Sequence, residues 1–120
     1  NLTWQHAQEM IEYWDGPFAI KGILSVADAK RAVEIGATTL ILSNHGGRQL
    51  DSAPAPIEVL AEIRAAVGEK VEIIIDGGIR RGSDIIKTLA LGANACSIGR
   101  AYVYGLGSAG QLGVERALTL

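Results

Sequence analysis

Cysteine is nearly missing from this sequence, and its absence removes whole classes of chemistry. The one cysteine, Cys96, excludes an intrachain disulfide and any metal site built from several thiolates. It fits a reducing compartment. Aromatic residues are also scarce, at 5%, and Trp4, Trp14, Tyr102 and Tyr104 read as helix or loop packing. No apolar run approaches the roughly 18 to 20 residues that span a bilayer, and no basic-then-apolar signal opens the chain. Positive charge has no excess either. Eleven Lys and Arg against 13 Asp and Glu leave a formal charge of −2, with no basic stripe for nucleic acid or an anionic membrane surface.

What remains is an ordinary globular composition, 48% hydrophobic and 20% charged over 120 residues, enough for one domain at most. The 15 glycines stand at intervals between apolar runs, as punctuation and not as a flexible linker. There is no low-complexity tract. The pattern opens directly on a helix, and Val114 to Leu120 reads as a helix with no stop signal. The chain therefore reads as a piece of something longer.

The order of elements follows from caps and periodicity. Thr3 is a candidate N-cap for a helix with Trp4, Ala7, Met10, Ile11 and Trp14 at helical spacing, ending near Tyr13 before Gly16-Pro17. Phe18 to Ile20 is a short strand ending at Lys21-Gly22. Ser25 and Asp28 have the form of a capping box for a helix that Gly36 closes. Thr39 to Leu42 is the second strand, ending in Ser43-Asn44-His45, and Pro56 leads to a helix from Ile57 to Val67 closed by Gly68. Val71 to Ile75 ends in Asp76-Gly77-Gly78; Ser83 caps the next helix and Gly92 closes it. Ala95 to Ile98 ends in Gly99-Arg100, and a Gly-rich segment from Ala101 then turns helical. Continuous apolar strands predict parallel strands buried on both faces, and strand–helix alternation predicts an α/β fold with right-handed crossovers. In every unit the unusual polar residue, Lys21, His45, Asp76 or Arg100, falls at the carboxyl end of the strand. That is where (β/α)8 TIM barrels place their active sites. Four units make half of such a barrel, with an open doubly wound sheet as the alternative.

Three stretches carry chemistry. Lys21 follows apolar residues and offers either a positive charge for an anionic ligand or a lysine that snorkels to the barrel mouth. In Ser43-Asn44-His45-Gly46-Gly47-Arg48-Gln49, the histidine suits proton transfer near neutral pH. Arg48 offers a planar fork for a carboxylate, and the two glycines allow the sharp turn that aims both at one substrate. In Asp76-Gly77-Gly78-Ile79-Arg80-Arg81-Gly82-Ser83, glycine N–H groups, a helix start and a guanidinium make a phosphate site. It lacks the Lys-Ser/Thr pair of a P-loop. Gly99-Arg100 adds a second N–H and a second guanidinium, while Arg81 is equally readable as solvated. Cys96 reads as a small packing residue of a buried strand and His6 as a surface residue with no companion.

The stretch SNHGGRQ, Ser43 to Gln49, resembles the active-site signature of the FMN-dependent α-hydroxy-acid dehydrogenases and oxidases. Ile20-Lys21-Gly22-Ile23, Asp76 to Gly82 and Ser97 to Arg100 extend the resemblance over nearly the whole chain. It implies that residues 1–120 are the C-terminal half of a (β/α)8 barrel, strands five to eight, with FMN at the mouth. It further implies Lys21 at the flavin N1/O2 edge, Ser43 in the flavin pocket, and His45 as the base with Arg48 on the substrate carboxylate. Asp76, Gly77, Gly78 and Arg80 would hold the ribityl and phosphate, and Gly99 with Arg100 the rest of the phosphate cradle. The implied reaction oxidises a small L-2-hydroxy acid to the 2-oxo acid, with oxygen, a quinone or a cytochrome taking the electrons. A cytoplasmic protein, or one peripheral to the inner membrane, is expected. A homo-oligomer or the other half barrel would complete it. The competing readings are another phosphate-binding barrel, similar to IMP dehydrogenase, and a non-catalytic half barrel that binds flavin phosphate.

Overall fold

All four predicted strand–helix units form, and local sequence explains most of their boundaries. The computed structural model describes residues 1–119. Helix α1 spans Trp4–Trp14, capped by the Thr3 side chain, and Asp15 ends it in the left-handed region. His6 closes this cap: its Nδ1 accepts from the Thr3 N–H, so the residue read as solitary has a partner. Strand β1, Ala19–Ile23, leads to α2, Val26–Glu34, where the Ser25 hydroxyl accepts from Asp28 N–H. Strand β2 is Thr39–Ser43. Helix α3, Pro56–Val67, starts on proline, whose fixed φ and missing N–H suit that position. Strand β3, Glu72–Asp76, α4, Gly82–Ala90, β4, Ala95–Ser97, and α5, Arg100–Leu118, complete the order.

The sheet is parallel with sequential order β1-β2-β3-β4. A doubly wound sheet reverses its strand order at a switch point. This one does not, and it has the order of neighbouring strands in a (β/α)8 barrel. The helix-covered face is the core: Leu40, Leu42, Ile73 and Ile75 of the sheet and Leu60 and Ile63 of α3 are fully buried, each worth about 1.5–3 kcal/mol.

Four expectations need correction. The strands are not buried on both faces. Burial alternates along β2 and β3, with Ile41 and Ile74 only half-buried, because nothing among the described residues covers the second face. Strand β1 continues through Lys21 to Ile23, with an irregularity at Gly22, so Lys21 lies within the strand. Ser83 lies inside α4; the Asp84 carboxylate accepts from Arg80 N–H at 3.0 Å and Arg81 N–H at 3.1 Å and supplies the cap. The Gly-rich segment is helical from Arg100 onwards, folding at Ala109-Gly110. There Gly105 and Gly113 come so close that a Cβ on either would overlap the other's backbone.

One buried charge holds the far end of the sheet. Arg64 of α3 donates to the carbonyls of Gly92, Gly68 and Val71 and to Asn94 Oδ1, and that same Oδ1 accepts from Ile73 N–H. Arg64 thereby ties α3, β3 and the α4–β4 turn together. Arg64→Ala strands several acceptors at about 1–3 kcal/mol each and is expected to lose roughly 3 kcal/mol or more in urea unfolding. A loss below about 0.5 kcal/mol, the range of ordinary surface changes, would show that water replaces it.

Candidate active site

The carboxyl ends of three strands meet in register, Ser43 beside Asp76 and Asp76 beside Ser97. Lys21 reaches across from β1. Its Nζ lies 2.7 Å from Asp76 Oδ2 and donates to Ser43 Oγ at 3.2 Å. The fully buried Ser43 donates to Asp76 Oδ2 at 2.7 Å. The lysine charge is therefore taken up by a carboxylate within the chain and does not stand free. Burial pushes the Asp76 carboxyl up, but hydrogen bonds from Lys21 and Ser43, the Lys21 charge and the Ser97 hydroxyl outweigh it and hold the group below the ordinary aspartate value.

That depression has a sign. A carboxyl lowered by folding stabilises the fold above its unfolded value of about 3.9, and the contribution is lost as pH falls through the lower folded value. The urea midpoint should therefore fall more steeply below about pH 4 for the wild type than for Asp76→Asn. Parallel acid profiles would remove Asp76 from the account.

The turn that carries His45 is built on the same node. Ser43 Oγ accepts from His45 N–H at 3.1 Å. His45, Gly46 and Gly47 all have left-handed backbones, with φ of 55, 70 and 71°. For histidine that conformation costs roughly 1–2 kcal/mol, and such strain gathers at functional sites. Asn44 pins the turn: its Oδ1 accepts from Gly47 N–H and its Nδ2 donates to the Pro54 carbonyl. The imidazole lies against β1, where a Cβ at Gly22 would stand 3.2 Å from His45 Nε2.

Above this floor opens a cleft of about 620 Å³, within the usual range of about 300–1,000 Å³ for ligand sites. His45, Arg48, Asp76, Gly77, Gly78, Arg80, Gly99 and Arg100 line it, so eight of the ten predicted site residues share one cavity. Lys21 and Ser43 are not on its wall; they reach it through Asp76. Among the described residues none of Arg48, Arg80 and Arg100 is ion-paired, so three guanidinium groups face one cleft in a chain of net charge −2. Their combined field would draw an anion into the cleft.

The two helix starts at the cleft differ. Asp84 occupies that of α4, consuming the Arg80 and Arg81 N–H groups, and those two bonds hold its carboxyl below the ordinary value. The start of α5 has no side-chain cap, so its N–H groups and partial positive charge are open to an anion. A Cβ at Gly78 or Gly99 would meet nothing within 4 Å, so the backbone there lies open. Arg81 is exposed and off the cleft wall.

Tyr104 and Ser97 line the cleft as well and were not among the predicted residues. Tyr104 follows Arg100 by one helical turn, which puts both on one face; reading α5 from Arg100 would have found it. Cys96 packs against the core, with its Sγ 2.7 Å from Thr88 Oγ1. A second hollow lies on α1, lined by Leu2, Met10 and Tyr13 together with Asn1, His6 and Glu9. Among the described residues no His, Cys, Asp and Glu cluster suits a metal, and no helix is long and apolar enough to cross a membrane.

A family model described as FMN-dependent dehydrogenase matches residues 1–120. The chain belongs to this family. FMN is the family's cofactor, and the fit is physical: the cationic cleft, the uncapped start of α5 and the open backbone at Gly78 and Gly99 suit a phosphorylated group. The chain is 53% identical over 118 residues to pre-mycofactocin synthase of Mycolicibacterium smegmatis, covering 98% of this chain and 30% of that protein. It is 48% identical over 120 residues to L-lactate dehydrogenase of Actinobacillus pleuropneumoniae, covering 100% and 32%. A crystal structure of mandelate oxidase with benzoyl-formic acid superposes with a TM-score of 0.90 at 49% identity, covering 96% of this chain and 34% of that one. The relatives are FMN-dependent oxidoreductases and the neighbouring fold is a TIM barrel. The chain spans about a third of the length of the relatives it matches.

Proposed function

We propose that this chain supplies the base, the substrate-carboxylate ligand and the phosphate cradle of an FMN-dependent enzyme that oxidises an L-2-hydroxy acid to its 2-oxo acid. The observation that carries this reading is the shared cleft, lined by His45 and Arg48 together with Arg80, Gly99 and Arg100. FMN, when bound, supplies the two-electron acceptor. The chain's own residues do the rest. Arg48 holds the substrate carboxylate by its planar fork, and His45 takes the proton that leaves the substrate. Lys21 keeps a positive charge beside Asp76 where the flavin would rest. Arg80, Arg100 and the start of α5 hold the phosphate.

The remainder of the site is assigned to a complementary half barrel, on a second copy or another segment. The outer edges of β1 and β4 are unpaired among the described residues, and open parallel edges call for a partner. FMN titration followed by flavin fluorescence tests the division. A chimera in which residues 1–120 replace the matching third of mandelate oxidase should bind FMN stoichiometrically, and the chain alone weakly. Tight binding with lactate turnover by the chain alone would refute the need for a partner. A chimera that folds and ignores FMN would refute the cradle.

The higher identity to pre-mycofactocin synthase, 53% against 48%, favours a second reading. Here the oxidised substrate is the one used in making pre-mycofactocin, with His45 still the base. Flavin in the chimera left unbleached by lactate, glycolate and mandelate would favour it.

A further inference from the structure

Arg100, assigned above to the phosphate, makes a contact that a phosphate ligand does not need. Its Nη2 donates to the carbonyl of Gly46 at 2.8 Å, across 54 residues of sequence. Gly46 is the middle residue of the left-handed turn that presents His45. Glycine suits this position through its φ of 70°, and a Cβ there would crowd Arg100 Nη2 at 3.0 Å. The turn's other ties come from nearby in sequence: Ser43 to His45 N–H, and Asn44 to Gly47 N–H and to the Pro54 carbonyl. Arg100 holds it from a separate element, as the uncapped first residue of α5. A guanidinium has five N–H donors in a rigid plane, so the bond to Gly46 leaves others for an anion at the same end of the cleft.

We propose that Arg100 is a positioning residue for His45. One rigid guanidinium spans the anion end of the cleft and the Gly46 carbonyl, so occupancy of the phosphate site is transmitted to the base-bearing turn. The inference rests on the reading of this end of the cleft as a phosphate site. Its distinct content is the mechanical link, which a purely electrostatic phosphate ligand lacks.

The chain has two histidines, so the link is readable in the 120-residue protein by imidazole ¹H–¹³C NMR, with His6→Gln assigning the signals. Inorganic phosphate is the probe, and ³¹P line broadening reports its binding. In the wild type, phosphate should displace the His45 signal and leave His6 unmoved. Arg100→Lys keeps the charge but loses the fork; phosphate should still bind, and the His45 displacement at saturation should be lost. Arg80→Gln removes a charge but not the link; binding should weaken, and the displacement at saturation should survive. An effect of the anion's charge through space would persist in Arg100→Lys, and equal displacement there and in the wild type would overturn the proposal. So would phosphate binding that leaves wild-type His45 unmoved. Absence of any phosphate binding would instead overturn the phosphate reading, and the proposal with it.

Discussion

Replacing His45 by glutamine in the completed barrel is expected to slow flavin reduction about 10²–10⁴-fold, the usual worth of a positioned general base, with FMN still bound. Glutamine keeps a polar side chain of similar reach but cannot accept the proton. The FMN contacts assigned here lie elsewhere, on Arg80, Gly99, Arg100 and the Lys21–Asp76 pair. The turn should survive too, because Ser43 and Asn44 hold it through backbone groups. Stopped-flow absorbance under anaerobic conditions separates the two quantities, since it reads bound flavin before mixing and its bleaching after. Near-normal bleaching would refute the assignment of His45 as base. Loss of flavin instead would make the residue part of the cofactor site.

Arg48→Lys is expected to lower kcat/KM for a 2-hydroxy acid about 10- to 100-fold, chiefly through KM. The change keeps the charge and removes the bidentate fork, and a hydrogen bond to a charged group contributes about 1.5–3 kcal/mol. Arg48 is exposed on the cleft wall and unpaired among the described residues, so the fold should tolerate the change. Comparison with the matching 2-hydroxy amide isolates the role. The wild type should prefer the acid, and the variant should lose most of that preference. An unchanged preference would move carboxylate binding away from Arg48.

Lys21 lies inside β1, whereas Asp76 was legible because the apolar run of β3 stops on it beside glycine. His45 and Arg100 were legible because they follow the ends of β2 and β4 within three residues beside glycine. In a parallel sheet that boundary is the active end. The partners of those residues were not legible. The apolar run before Lys21 predicts a charge aimed at an anionic ligand or snorkelling to the barrel mouth, yet Lys21 pairs with Asp76, which lies 55 residues later in sequence. Ser43 was read as a pocket residue, yet it is the hub between Lys21, Asp76 and His45. Such pairings are set by strand register, which single-strand patterns do not encode. The start of α4 failed for a local reason. Ser83 and Asp84 are both capable caps, and only the backbone path decides that Asp84 reaches back to Arg80 and Arg81. The one-sided burial of the strands has a global cause. The apolar sequence is suited to a closed barrel, and these residues form four of its strands.

Anaerobic addition of lactate, glycolate or mandelate to the FMN-loaded chimera, followed at the flavin band, tests the central claim most directly. The account predicts that at least one of these acids bleaches the band in a single turnover, and that His45→Gln nearly abolishes the bleaching with flavin content unchanged. Bleaching at the same rate with and without His45 would contradict it.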